Sequence, residues 1–200
     1  SILMVSIGSV MTYLMNLILM GFSSTATAVF GAYFKLQSFF FMPVFGLNNG
    51  MIPVLAYNYG AGKSLRIREA LLFAIKVALL VMIIGTLVMQ LAPRPLLQLF
   101  HASDHMMSLG IPALRIISLH FPIAAASIVF SAAFQAFSRS FYALMVSVAR
   151  QLGVLIPVSY LLSLTGDVNK IWFSFVIAES ISVLLSLFFF KKVYHSVKKE

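Results

Sequence analysis

The chain contains no cysteine, so neither a disulfide framework nor a thiolate metal site is open to it. Acid is almost as scarce: Asp and Glu together number 5, against 14 Lys and Arg. Charged residues make up only 10% of the 200, hydrophobic ones 61%, and the mean hydropathy is +1.01, which excludes a soluble globular domain. Strict apolar and polar alternation is missing too, and that excludes a membrane barrel. No nucleophile elbow, phosphate loop or HExxH helix is present, so the sequence carries no visible enzymatic equipment. His101, Asp104 and His105 are the nearest thing to a metal-ligand cluster, and two histidines with one carboxylate in a connecting loop do not make a site. We assign no metal and no cofactor.

What remains is a set of apolar runs, each of about 20 residues or more, the length that crosses a hydrocarbon layer as a helix. Six spans are read, at 1–22, 28–57, 70–92, 108–136, 141–163 and 171–191. The fold class is therefore an all-α integral membrane bundle of six transmembrane helices. Its net charge of +9 is carried by basic residues beside the spans, where they set topology and face lipid rather than nucleic acid. Lys63, Arg66, Arg68, Arg139, Lys191, Lys192, Lys198 and Lys199 follow even-numbered spans, whereas Arg94 and Lys170 alone lie in connections on the other side. The positive-inside rule then puts the C-terminus in the cytoplasm and starts the chain from the same side. The opening SILMVSIGSV has no initiator Met and no basic flank, so it reads as a cut end or the start of a half-protein. Trp172 and Tyr194, near opposite ends of the last span, are expected in the aromatic belts at the two interfaces. PLLQLFHASDHMMSLG, between the third and fourth spans, is read as an interfacial helix and turn with Ser103 as a cap.

The stretch from Phe41 to Arg68 is unlike a lipid anchor. Pro43, Gly46, Gly50 and Pro53 recur every three to four residues and share one helix face, with Asn48 and Asn49 between them. A helix so weakened is expected to kink and to be buried in protein or to line a wet cavity.

Polar groups inside spans mark function or register, because each is costly to insert. They are Asn16, Lys35, Gln37, Asn48, Asn49, Lys76, Arg115, His120, Gln135, Arg150 and Glu179. Glu179 is the only acid within a span, and both it and Arg150 fall near the midplane of adjacent helices, so the two are expected to form a buried ion pair. Asn16, Lys35, Gln37, Asn49, Arg115 and Gln135 are the candidates for lining a substrate cavity. For Lys35 the alternative is snorkelling, and for Arg115 it is bonding to carbonyls freed by Pro112 and Pro122. Lys76 is read as snorkelling and His120 as a packing residue.

At GLNNGMIPVLAYNYGAGKSLRIRE the residues become recognisable. Gly46, Asn49, Pro53, Asn58, Gly60, Ala61 and Arg66 resemble the stretch found in each half of multidrug and toxin extrusion (MATE) transporters. LFHASDHMMSLGIPALRIISLHFP, FQAFSRS, RQLGVLIP and IAES follow in the order of the later spans of a bacterial C-terminal lobe. The resemblance implies one six-helix lobe of a twelve-helix exporter in the bacterial cytoplasmic (inner) membrane, with Pro43, Gly46, Gly50 and Pro53 as its hinge. Its implied partners are membrane lipid, a missing N-terminal six-helix lobe and amphipathic organic substrates, expelled against inward Na+ or H+. One departure stands out. Some members carry a coupling acid in the first and fourth spans of this lobe, where the present chain has only Asn16 and Arg115; the resemblance then implies that coupling rests on an acid in the missing first lobe, with Glu179 as the sole local candidate. Two alternatives stay open: a lipid-linked oligosaccharide flippase of the same superfamily, with Lys35, Arg115 and Arg150 facing a pyrophosphate, and a non-transporting six-helix scaffold.

Overall fold

A computed structural model describes residues 2–198; Ser1, and Lys199 of the basic tail, lie outside the described residues. Helices α1 (Ile2–Met20), α2 (Ser24–Gly60) and α3 (Ser64–Leu91) are each long and apolar enough to cross a membrane. A short helix α4 (Pro93–Gln98) leads to the fourth crossing, made of α5 (Asp104–Ile117), one 3-10 turn (Ser118–His120) and α6 (Phe121–Ala136). The fifth joins α7 (Ser140–Val148), a π-helical segment (Ala149–Leu155) and α8 (Ile156–Ser163), and α9 (Val168–Lys198) completes the bundle. The chain is therefore a multi-pass membrane protein with six membrane-crossing helical stretches.

Short connections are made by local chemistry. Ser23 opens α2 by accepting from the Ala26 N–H at 3.1 Å, and Ser103 opens α5 by accepting from Met106 at 3.2 Å. Gly62 and Gly166 take φ of 64° and 77°, a left-handed turn that favours glycine. The 3-10 turn and the π segment were not expected from the sequence, and each lies just ahead of a proline, Pro122 and Pro157.

The irregular turn ahead of Pro122 is where the third and fourth crossings are tied together. Pro122 cannot donate to the Ser118 carbonyl, which accepts instead from the Phe121 N–H and is approached at 3.1 Å by the hydroxyl of Thr86 from α3, a hydroxyl shared with the Met82 carbonyl of its own helix at 2.9 Å. One turn earlier, Gln90 donates from Nε2 to the Arg115 carbonyl at 2.6 Å and to Ser118 Oγ at 3.1 Å. Arg115 itself lies outside the bundle interior and returns a bond from Nε to the Gln90 carbonyl at 3.2 Å. The expected roles are thus reversed: α3 supplies the donors for the broken crossing, and Arg115 caps α3.

The core is aromatic. Phe30, Tyr33, Phe121 and Trp172 are all but fully buried, with Trp172 stacked on Phe30 at 6.3 Å between ring centroids. This corrects the interfacial assignment of Trp172, which points inward to α2 and is 0% exposed. At the opposite, basic end, Tyr59 stacks on Phe137 at 4.6 Å, and the Tyr194 hydroxyl donates to the Ser64 carbonyl at 3.2 Å. The end of α2, the start of α3, the α6–α7 turn and the tail of α9 therefore meet at one pole, and the basic connections gather there.

A second correction concerns α2. It runs helically through both prolines, and Pro43, Gly46, Gly50 and Pro53 are all exposed, with nothing within 4 Å of a Cβ built on either glycine. At about 100° per residue this face is roughly opposite the one bearing Gln37, Phe41, Asn48 and Ile52. The weak face is thus neither buried in this chain nor turned to its interior.

Gly85 of α3 shows how closely the helices approach. A Cβ there meets Phe40 Cδ1 at 3.3 Å and Phe121 Cδ2 at 3.4 Å, both from packed rings. Gly85→Leu is expected to lower stability by about 1–3 kcal/mol through overpacking, read as a drop in the thermal midpoint of the purified chain in detergent, while Gly46→Leu on the open face leaves it nearly unchanged.

Candidate functional site

Between α1, α2, α6, the fifth crossing and α9 lies a cavity of about 1020 Å³. Its walls alternate apolar side chains such as Phe34, Phe41, Phe45 and Phe175 with polar ones, because the inner faces of these helices carry both. Asn16 comes from α1, Gln37, Asn48 and Asn49 from α2, Gln135 from α6, and Glu179 from α9. Of the sequence candidates for cavity lining, Asn16, Gln37, Asn49 and Gln135 are here. Lys35 and Arg115 are not. Lys35 is exposed on the side of α2 that meets the α4–α5 connection, its Nζ 5.9 Å from the Phe100 ring, a cation–π approach that suits a snorkelling amine. Arg115 faces away because its guanidinium serves α3, as described above.

The charged centre is Arg150 with Glu179. Arg150 Nη1 stands 3.6 Å from Glu179 Oε1, and the side chains are 29% and 7% exposed. Arg150 reaches this position from the π segment, whose wider turns place Arg150 and Gln151 together on the cavity wall. Among the described residues this is the only salt bridge. Taking charge out of water costs several kcal/mol per ion, so each partner depends on the other for compensation.

Around the pair the polar groups are unevenly satisfied. Gln151 Nε2 donates to Ser147 Oγ at 2.9 Å, Ser127 and Ser182 share a bond of 3.2 Å, and Asn48 Nδ2 donates to the Ile128 carbonyl at 3.2 Å. Asn16 Oδ1, Asn48 Oδ1 and Glu179 Oε1 are buried acceptors with no hydrogen-bond partner. A donor or a cation placed in the cavity has acceptors waiting. His120, read from sequence as a packing residue, donates from Nδ1 to the Ile117 carbonyl and also borders the cavity. Ser127, Ser131, Ser147, Gln151 and Ser182 were not singled out from the sequence; only the adjacency of Gln151 to Arg150 hinted at any of them. The described residues hold no cluster of ligands for a metal, and His101, Asp104 and His105 stay exposed in the α4–α5 connection and the first turn of α5.

Six membrane-crossing stretches surround a large, mixed cavity with a partly buried ion pair on its wall, an architecture that suits a membrane carrier. The particular family follows from sequence: a profile described as MatE matches residues 1–161, and the chain belongs to that family, whose members are transporters rather than enzymes. The multidrug export protein MepA of Staphylococcus haemolyticus is 28% identical over 187 residues, covering 93% of this chain and 41% of that protein. An FAD transporter of Shewanella oneidensis is 24% identical over 175 residues, 87% of this chain and 38% of the relative. The chain thus spans about two fifths of the length of these curated relatives. A crystal structure of a MATE protein in complex with MaL6 superposes with a TM-score of 0.92 at 19% identity, over 99% of this chain and 45% of that one, which is a likeness of fold.

The ion pair yields a stability test. Glu179→Gln and Arg150→Gln each leave one charge uncompensated, and each is expected to destabilise, by less than the ~3–5 kcal/mol of a fully enclosed pair because Arg150 is partly open. The double variant is expected to lose less than the sum, with a coupling energy of about 0.5–3 kcal/mol in thermal or denaturant unfolding of the purified chain.

Proposed function

We propose that the chain is the C-terminal six-helix lobe of a cation-coupled multidrug efflux antiporter, acting with an N-terminal lobe in the bacterial cytoplasmic membrane. The observation that carries this reading is the cavity itself, with aromatic walls and two buried amide oxygens, Asn16 Oδ1 and Asn48 Oδ1, left without donors beside the acid Glu179. That lining suits amphipathic organic molecules bearing hydrogen-bond donors or positive charge, and adaptable Phe and Met side chains admit more than one of them. The MatE membership and the likeness to a multidrug export protein support the same reading. Inward Na+ or H+ drives the cycle, with Glu179 as the local residue whose charge such an ion can take over. The basic pole, by the positive-inside rule, is cytoplasmic and carries the C-terminus.

Alternating access needs a place to bend. The proposed hinge is Pro43, Gly46, Gly50 and Pro53, where two carbonyls lack their helical donors and no side chain of this chain obstructs movement. The flippase reading loses ground here, since Lys35 and Arg115 face away from the cavity and only Arg150 of its three cations remains within. A purely structural scaffold has no use for so large a mixed cavity.

In cells carrying the whole transporter, Glu179→Gln and Asn49→Ala are expected to slow efflux of a fluorescent cationic dye, the former by about tenfold or more, equivalent to ~1.4 kcal/mol of lost stabilisation. Parental rates in both variants would remove these residues from the site. With no cysteine in this lobe, and any in the remainder of the transporter replaced, thiol labelling tests the hinge. Thiols introduced by Gly46→Cys or Gly50→Cys are expected to change their labelling rate when substrate is added; an unchanged rate supports the scaffold instead.

A further inference from the structure

The basic pole holds a second, smaller concavity. It measures about 190 Å³ and is lined by Arg139, Tyr142, Lys192, Val193 and Ser196. At roughly 30 Å³ per water this is room for about six, enough for a phosphodiester group and part of its head. Arg139 comes from the α6–α7 turn and Lys192 from the tail of α9, so the fold brings together two cations 53 positions apart in the chain. Neither has an acidic partner among the described residues, whose single salt bridge is in the other cavity. Arg139 is also the residue that opens α7 without a side-chain cap, which leaves the positive end of that helix beside the two cations.

What lies next to the pocket identifies the ligand's other end. Tyr142 is fixed by stacking on Phe189 at 4.8 Å, so the pocket floor is rigid. On the outward faces of the same two helices Phe141 and Met145 of α7, and Leu184 and Phe188 of α9, are exposed at 68%, 41%, 66% and 65%. Positive charge at the pole and an apolar surface leading from it toward the membrane interior are complementary to a molecule with an anionic head and hydrocarbon tails. We infer that the pocket between Arg139 and Lys192 binds the phosphate of an anionic phospholipid, whose acyl chains lie along α7 and α9. The bound lipid joins the α6–α7 turn to the tail of α9, two segments that belong to different crossings.

The chemistry recognised, a phosphate, also exists free in solution, and the test separates the two. Native mass spectrometry of the full chain released from an uncharged detergent is run with phosphatidylglycerol, with phosphatidylcholine and with inorganic phosphate as competitor. Phosphatidylglycerol is expected to bind about tenfold more tightly than phosphatidylcholine, and Arg139→Gln with Lys192→Gln to weaken it about tenfold or more. Lys63→Gln with Arg68→Gln removes the same charge from the same pole and is expected to change affinity by no more than about twofold. The charge-preserving pair Arg139→Lys and Lys192→Arg is expected to keep binding. The assignment fails if the Arg139 and Lys192 double variant retains lipid, if the Lys63 and Arg68 pair weakens it equally, or if the charge-preserving pair loses it. It fails also if inorganic phosphate displaces the lipid at equal concentration, which would make the site one for a free anion.

Discussion

A backbone carbonyl without a donor is expensive wherever water is absent, and proline creates such carbonyls in the middle of helices. The tie between the third and fourth crossings forms where that cost arises. Thr86 and Gln90 of α3 donate to the Ser118 and Arg115 carbonyls around the 3-10 turn, so the weakest point of the fourth crossing is also where it is most firmly tied to the third. The fifth crossing meets Pro157 with a π segment, and the extra residue per turn delivers Arg150 and Gln151 to the cavity. In α2 no neighbour from this chain covers Pro43 or Pro53.

Most of the fold was legible in the sequence because hydropathy alone decides it. Six runs of sufficient length and a lopsided distribution of basic residues are signals that require no knowledge of packing. The Arg150 and Glu179 pair was legible for a related reason: two opposite charges at similar depth in neighbouring helices have few other partners. Rotation about each helix axis was harder to read. Lys35 and Arg115 have the right depth to line the cavity and the wrong phase, one pointing past the α4–α5 connection and the other wrapped back onto α3. Trp172 failed similarly: its position near a helix end suggested an interface, while its direction put it against Phe30. Depth follows from counting residues. Phase depends on which neighbour each face meets, and on irregular turns that shift the count.

The serines and Gln151 of the cavity were invisible for another reason. Single hydroxyls are common in membrane helices, where they bond back to a carbonyl one turn earlier, as Thr12, Ser38 and Ser180 do here. Only the spatial convergence of Ser127, Ser147 and Ser182 on one volume distinguishes them, and no spacing along the chain encodes that convergence. The family resemblance correctly located the polar stretch of α2, but it could not say which of its faces turns inward.

The π segment is also a device for phase. It holds the two ends of the fifth crossing out of ordinary α-helical step, so α7 keeps its alignment with the α6–α7 turn while α8 keeps its own against α1 and α9. Such a joint works like a vernier. Shortening it by one residue would restore the regular pitch and turn one end of the crossing against the other by about 100°, so α7 and α8 would not both keep their present neighbours. The length of this stretch thus sets the phase between the two halves of the crossing, while Arg150 within it supplies the charge opposite Glu179.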